Sequence, residues 1–243
     1  MKKILLFLTL LFIGYSTTAQ NFDWDSYYTE KKDALDKQLK DQIDNYTFTD
    51  NEVVVQKIID IKGSKNELFS KAMEILVGKY EDLEKNLQIE DKDTGLIIGK
   101  GVYSYFVTDI EQYGGSKLEN LIKYTFKLDF KDDKARITCS LNYVVESRDA
   151  VIINGIEKFP ASLTNVAMVN LLANYNQEIE YISQPGKGAT REEILNWSNN
   201  FHIKRFSNLF DGYQFYYAIN HLNEWVSNMG NQLQTKMSES DNW

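Results

Sequence analysis

The sequence predicts an α+β protein: a twisted antiparallel sheet of about four or five strands, helices on its apolar face, and additional helices at the C-terminus. Three stretches carry that reading. The first is a hairpin. Ile122, Tyr124, Phe126, Leu128 and Phe130 alternate with Lys123, Thr125, Lys127 and Asp129, the period of a half-buried strand. After Lys131-Asp132-Asp133-Lys134 the pattern resumes as Ala135, Ile137, Cys139, Leu141, Tyr143 and Val145. With Asp132-Asp133 at the tip, Phe130 faces Ala135, Leu128 faces Ile137, Phe126 faces Cys139, Tyr124 faces Leu141 and Asp129 faces Arg136. Opposed residues share a face, and a one-residue slip would turn the whole apolar set into water. The second stretch opens with Ser64-Lys65-Asn66-Glu67, a capping box. It is followed by Leu68, Ala72, Leu76, Tyr80, Leu83 and Leu87 along one helical stripe, widened by Phe69 and Met73. The third is a C-terminal helix carrying Phe215, Ile219, Leu222, Val226, Met229, Leu233 and Met237 at spacings of three and four, a stripe suited to lie along a sheet.

The other segments fill in around these. Lys2-Lys3, the apolar run Ile4 to Ile13 and Thr17-Thr18-Ala19 before Gln20 read as a secretory leader over residues 1–19. It is too short to span a bilayer stably, and the absence of a Cys after it argues against a lipoprotein anchor. No transmembrane segment is expected once it is removed. Residues 20–50 hold an amphipathic helix from about Asp25 to Asp44. Glu52 to Ile61 is β-branched and reads as a strand closed by Gly63. Glu90 to Gly95 is an acidic turn; Asp91 and Asp93 resemble the start of a calcium loop, but Leu96 and Val102 occupy the positions where glycine and glutamate are required. Leu96 to Thr108 is a strand with Gly99 and Gly101 inside it, the mark of a bulge, a bend or a close backbone approach. Both of its parities are partly apolar, so cover on both faces is expected. Val151 to Ile156, with Asn154-Gly155 between, reads as a small hairpin. A helix is expected from about Asn165 to Ile182, ended by Gln184-Pro185-Gly186. Thr190-Arg191-Glu192-Glu193 caps a further helix that reaches about Phe210, where Asp211-Gly212 interrupts it.

The leader, the string Ser64 to Phe69 and the string Ile89-Glu90-Asp91-Lys92-Asp93-Thr94-Gly95-Leu96-Ile97-Ile98-Gly99-Lys100-Gly101 together resemble an exported bacterial family, the domain of unknown function 4468 with TBP-like fold. The resemblance covers about residues 51–147. It implies a β-α-β(4)-α arrangement and a place in the Gram-negative cell envelope, and it transfers no catalytic or binding residue. The expected organisation is therefore a leader (1–19), an N-terminal helix (20–50), a TBP-like α+β domain (51–147) and a mainly helical part packed on it (148–243).

Composition narrows the function. The net charge is −8, and losing Lys2 and Lys3 with the leader makes the chain more acidic still. Such a chain repels phosphate backbones, which excludes nucleic acid as an expected partner. Cys139 is the one cysteine, placed by parity in the core. His202 and His221 lie in different helices with no companion ligands, and no nucleophile elbow, P-loop, dinucleotide fingerprint or zinc motif occurs. Neither catalytic residues nor metal ligands nor a cofactor are assigned. The reading is an exported, non-enzymatic binding or interaction module, secreted or held in the periplasm. Its candidate ligand or partner surface is Tyr103, Tyr105 and Val107 on the strand with two apolar faces. A small apolar ligand held between sheet and helix, or an envelope protein, is the expected partner. The alternatives are an envelope hydrolase using a carboxylate pair and an assembly protein that dimerises through the last helix.

Overall fold

A computed structural model describes residues 24–49, 52–107, 118–148, 151–153, 156–159, 162–179, 186, 188–197, 201 and 204–240. The leader and His202 fall outside them. The predicted hairpin is the centre of the sheet. Strand β5 (Leu118–Lys131) turns through Asp132-Asp133 into β6 (Lys134–Leu141). Phe130 faces Ala135, Leu128 faces Ile137, Phe126 faces Cys139, and Asp129 faces Arg136, with which it forms an ion pair. Asp133 takes the left-handed conformation, φ 59°, which an aspartate tolerates in a tight turn. Both tip carboxylates are used. That of Asp133 accepts the Gly63 N–H at 2.9 Å and that of Asp132 accepts the Lys65 N–H at 2.8 Å. The tip thereby clasps the junction between β2 (Glu52–Asp60) and the helix after it.

Beyond Ser140 the register differs from the strict alternation of the sequence. β7 (Tyr143–Arg148) continues beside β5 with Ile122 facing Val144, one residue out of step with the Thr125–Ser140 pair. The extra residue is a bulge around Asn142, which bends the strand. It turns Val144 fully into the core and leaves Tyr143 half-buried, where even alternation would have put Tyr143 inside.

Among the described residues the sheet has eight strands, more than the four or five expected. β1 (Thr47–Thr49), β2, β6, β5, β4 (Leu96–Val107) and β3 (Leu87–Asp91) follow one another across it. β7 lies beside the other end of β5, with β10 (Ser162–Ala167) on its far side. β8 (Val151–Ile153) and β9 (Ile156–Phe159) form the small separate hairpin expected around Asn154-Gly155. The helix expected over 165–182 is corrected: residues 162–167 pair with β7, and of the described residues in that span Met168–Tyr175 are helical. The switch falls where the Met168 N–H donates to the carbonyl of bulged Asn142 at 2.9 Å, tying the start of the helix to the strand.

Helix α1 spans Trp24–Gln42 and α2 spans Lys65–Lys79, with the Glu67 N–H donating to the capping Ser64 hydroxyl at 3.3 Å. The stripe predicted to continue through Leu87 stops sooner. Tyr80 is extended, α3 is the single turn Leu83–Asn86, and Leu87 begins β3. α4 is Met168–Tyr175 and α5 is Arg191–Trp197, whose capping box is complete: the Glu193 N–H donates to the Thr190 hydroxyl at 3.2 Å and the Thr190 N–H to the Glu193 carboxylate at 2.7 Å. α6 runs unbroken from Lys204 to Ser240, about 55 Å. The break expected at Asp211-Gly212 does not occur. Gly212 serves a close approach, since a Cβ there would lie 2.3 Å from the Tyr175 ring of α4. Leu222, Val226, Met229 and Leu233 of α6 are buried within the chain itself. α2 and α6 cover one face of the sheet, and α1 and α4 pack on α6.

Among the described residues the opposite face is open around β4 and β2, while at the β5–β7 end Val145, opposite Leu121, is buried. Strand β4 was expected to be covered on both sides, yet Val102 is 63% exposed, as is Ile58 of β2 at 56%. Helices α2 and α6 lie on the face that carries the continuous aromatic and aliphatic set, because burying that set is the larger gain.

Candidate interaction surface

On the covered face, β4 pairs with β5 without a register shift, so Gly99 faces Phe126 and Gly101 faces Tyr124. A Cβ at Gly99 would lie 2.3 Å from the Phe126 ring, and one at Gly101 would lie 2.2 Å from the Tyr124 ring. The glycines are slots, and the two rings lie across them. Of the three meanings a strand glycine carries, close approach is the one realised here. Trp225 of α6 stacks on Phe126 at 5.1 Å and donates its indole N–H to the Tyr80 hydroxyl at 3.3 Å. The Tyr80 and Tyr124 hydroxyls meet at 3.2 Å. His221 stacks on Tyr103 at 3.8 Å and meets the Tyr124 ring edge-on at 5.3 Å. Lys79 lies 5.2 Å over the Trp225 ring.

The electrostatics of this junction favour neutral groups. Burial, with the Lys79 charge adding to it, pulls the His221 pKa down to about 4. Burial pushes the Tyr80 and Tyr124 hydroxyls upward and draws Lys79 downward. A neutral imidazole between aromatic rings and phenols that hold their protons make a packing device that joins α6 to β4 and β5. The His221 Nε2 has no hydrogen-bond partner among the described residues. Cys139, fully buried, has its thiol pushed well up by burial.

The residues singled out from the sequence part company here. Tyr105 is buried, and its hydroxyl donates to the Gln214 carbonyl at 3.2 Å. Its strand neighbour across the pair, Asn120, is fully buried with neither amide atom partnered among the described residues. Tyr103 is 42% exposed and presents one ring face to His221. Val107 lies in β4 opposite Leu118, and its side chain falls outside the described ones. Tyr103 and Tyr105 stack at 6.3 Å, but only Tyr103 meets solvent appreciably.

Two grooves lie elsewhere, and neither is lined by a strand. One, about 590 Å³, runs between α2 and α6 past Glu74, Lys79, Gln232, Thr235 and Lys236. The other, about 430 Å³, includes Tyr28, Lys32, Tyr175 and Arg205. Two of its cations are already matched. Arg205 stacks on Tyr28 and pairs with Asp25 at 2.5 Å, while Lys32 pairs with Asp36 at 2.6 Å. This is a tie between α1 and α6. The carboxyls of Asp91 and Glu193 sit below the ordinary range, held there by backbone N–H donors of a turn and of a helix cap. Among the described residues no group of three or more His, Cys, Asp or Glu is placed to hold a metal ion, and no helix is long and apolar enough to cross a membrane.

The open face is a further surface, and the register defines it. Ile98 faces Lys127, Lys100 faces Thr125 and Val102 faces Lys123. Beyond β5 stand Thr138, opposite Lys127, and Ser140, opposite Thr125. Thr125 lies between Lys123 and Lys127 on one strand, so Lys100 is the diagonal neighbour of both, about 7–8 Å away at Cα. All three lysines are exposed. Reading each strand alone misses this group. The signal is present in the sequence, as lysines on the polar parity of both strands, but only the pairing of Gly101 with Tyr124 brings them together.

Residues 56–143 match the model of the domain of unknown function (DUF4468) with TBP-like fold. A DUF4468 family protein from Bacteroides ovatus ATCC 8483 is similar over 71% of this chain and 90% of its own, with 12% identity and a TM-score of 0.38. A TBP-like protein from Parabacteroides distasonis ATCC 8503 is similar over 69% of this chain and 96% of its own, with 16% identity and a TM-score of 0.38. No curated protein matches the chain.

Proposed function

We propose that this chain, which carries a DUF4468 domain with TBP-like fold over residues 56–143, is an exported, non-enzymatic interaction module of the bacterial cell envelope. The single observation that carries the reading is the open sheet face, where Val102 and Ile58 stand 63% and 56% exposed while every buried aromatic of the junction lies on the other side. Isolated exposed aliphatics are ordinary; here they sit on a sheet face that no described helix covers around β2 and β4. An envelope protein suits this face better than an enclosed small ligand does, because the two grooves described above lie away from it, on helices, and carry Lys79, Lys236, Lys32 and Arg205. Export rests on the leader, Lys2 to Ala19.

Two measurements test it. N-terminal sequencing of the chain recovered from the periplasm or medium should begin at Gln20. A photo-crosslinking residue placed at position 102 or 58 should give a discrete adduct in intact cells, and one at Val77, exposed on α2, should give none. A chain retained in the cytoplasm with its leader intact, or equal adducts from all positions, would sink the reading.

A further inference from the structure

The charge on the open face identifies the chemistry of what it meets. The chain carries 35 acidic against 27 basic side chains, yet Lys100, Lys123 and Lys127 form an exposed triangle with no carboxylate paired to them among the described residues. The nearest acid on the face, Asp129, is already taken by Arg136, and Asp60 is paired with Lys134 at 3.4 Å. Thr125, Thr138 and Ser140 fill the ground between, and Ile98 and Val102 stand directly opposite Lys127 and Lys123. Lys100 lies within about a Debye length of both Lys123 and Lys127, so the like charges repel, and a partner that supplies carboxylates relieves that repulsion while covering the aliphatics.

Resting on the interaction reading above, we propose that the β4–β5 face docks an acidic protein segment with aliphatic side chains between its carboxylates, set against Lys100, Lys123 and Lys127. A second copy of the chain fits less well, because a two-fold contact centred on the triangle sets lysines near the axis against lysines. A bilayer fits less well than a protein. Membrane-surface binding relies on bulky apolar or aromatic anchors, and among the described side chains of this face none is an exposed Trp, Phe or Tyr.

The test uses isotope-labelled chain from residue 20 onward and a synthetic Glu/Leu amphipathic peptide, with its Lys/Leu counterpart as control. Amide shifts should cluster at Lys100, Val102, Lys123 and Lys127 with the acidic peptide only. Affinity should fall at least about tenfold in K100E/K123E/K127E and by less in the Lys→Gln triple, and it should weaken with added salt, as charge-led association does. Thermal melting of both triples confirms that the fold is kept. Shifts that are absent, that map to α6, or that survive charge reversal overturn the proposal. So does binding of phosphatidylglycerol vesicles, but not of the peptide, through the same lysines, and so does a dimer that the triple variant abolishes. If position 102 still crosslinks in cells while the peptide is ignored, the interaction module stands and the acidic partner falls.

Discussion

The two faces of this sheet are made from the same strands and solve opposite problems. On the covered face, Gly99 and Gly101 give up their side chains so that Phe126 and Tyr124 can lie across them, and α6 then locks those rings with Trp225 and His221. On the open face, one residue along, Lys100 and Val102 project outward beside Lys123 and Lys127. A change at residue 101 is therefore a change to the core, and a change at residue 100 or 102 is a change to the surface. Stability and recognition are separated by the two-residue period of a strand, which leaves the open face free to vary without disturbing the fold.

The sharpest way to break that separation is to fill a slot. Gly101→Val would put a branched side chain where Tyr124 ring atoms already lie 2.2 Å from an added Cβ. The expected cost is about 3 kcal/mol, read as a fall in melting temperature of about 6–12 °C for a chain of this size. Tyr124→Ala in the same chain should recover at least about 1 kcal/mol relative to the sum of the two single changes. Fully additive losses would mean that the glycine is not there for the ring.

The next effect is electrostatic and belongs to the same covered face. The His221 pKa is drawn down to about 4 by burial and by Lys79, against an ordinary value near 6.5. Between those values the unfolded chain binds a proton that the folded chain refuses. Stability from this group is therefore complete above about pH 6.5 and is lost as the pH falls toward 4. Allowing for the partial exposure of His221, the loss is about 1–2 kcal/mol. His221→Phe keeps a ring against Tyr103 and removes the titration. Denaturant unfolding of the two proteins across pH 4–7 should show a flatter profile for the variant, and parallel profiles would disprove the assignment.

How far the sequence discloses this comparison depends on which spacing carries the information. The β5–β6 register is legible because a slip would expose Phe126, Leu128 and Ile137 together. The bulge at Asn142 is not, because Tyr143, Val144 and Val145 are all acceptable inside and only the pairing with Leu121 and Ile122 chooses among them. Gly212 reads as a helix breaker because its partner, Tyr175, is far away in the chain, and the same remoteness conceals β10, whose pairing with β7 overrides a helical spacing. Tyr103 and Tyr105 share a parity that the sequence displays, but the position of α6, which buries one more than the other, is a tertiary fact. The lysine triangle is hidden for a further reason. Its members are unremarkable polar positions within each strand, and they become a cluster only through the β4–β5 register.

The smallest expected effect is the one that most sharpens the contrast. Lys100, Lys123 and Lys127 are exposed and have no paired carboxylate among the described residues, so replacing each by Gln removes no packing and breaks no ion pair described there. Each change should move stability by no more than about 0.5 kcal/mol, and the triple variant should be equal to or slightly more stable than the parent at low salt, since mutual repulsion is relieved. That small gain should vanish as salt screens the charges over about 8 Å at physiological strength. Urea unfolding of parent and triple at low and moderate salt reads both the sign and the screening. A clear loss at either salt would mean that these lysines hold the fold together, and the open face would then belong to the same structural economy as the covered one.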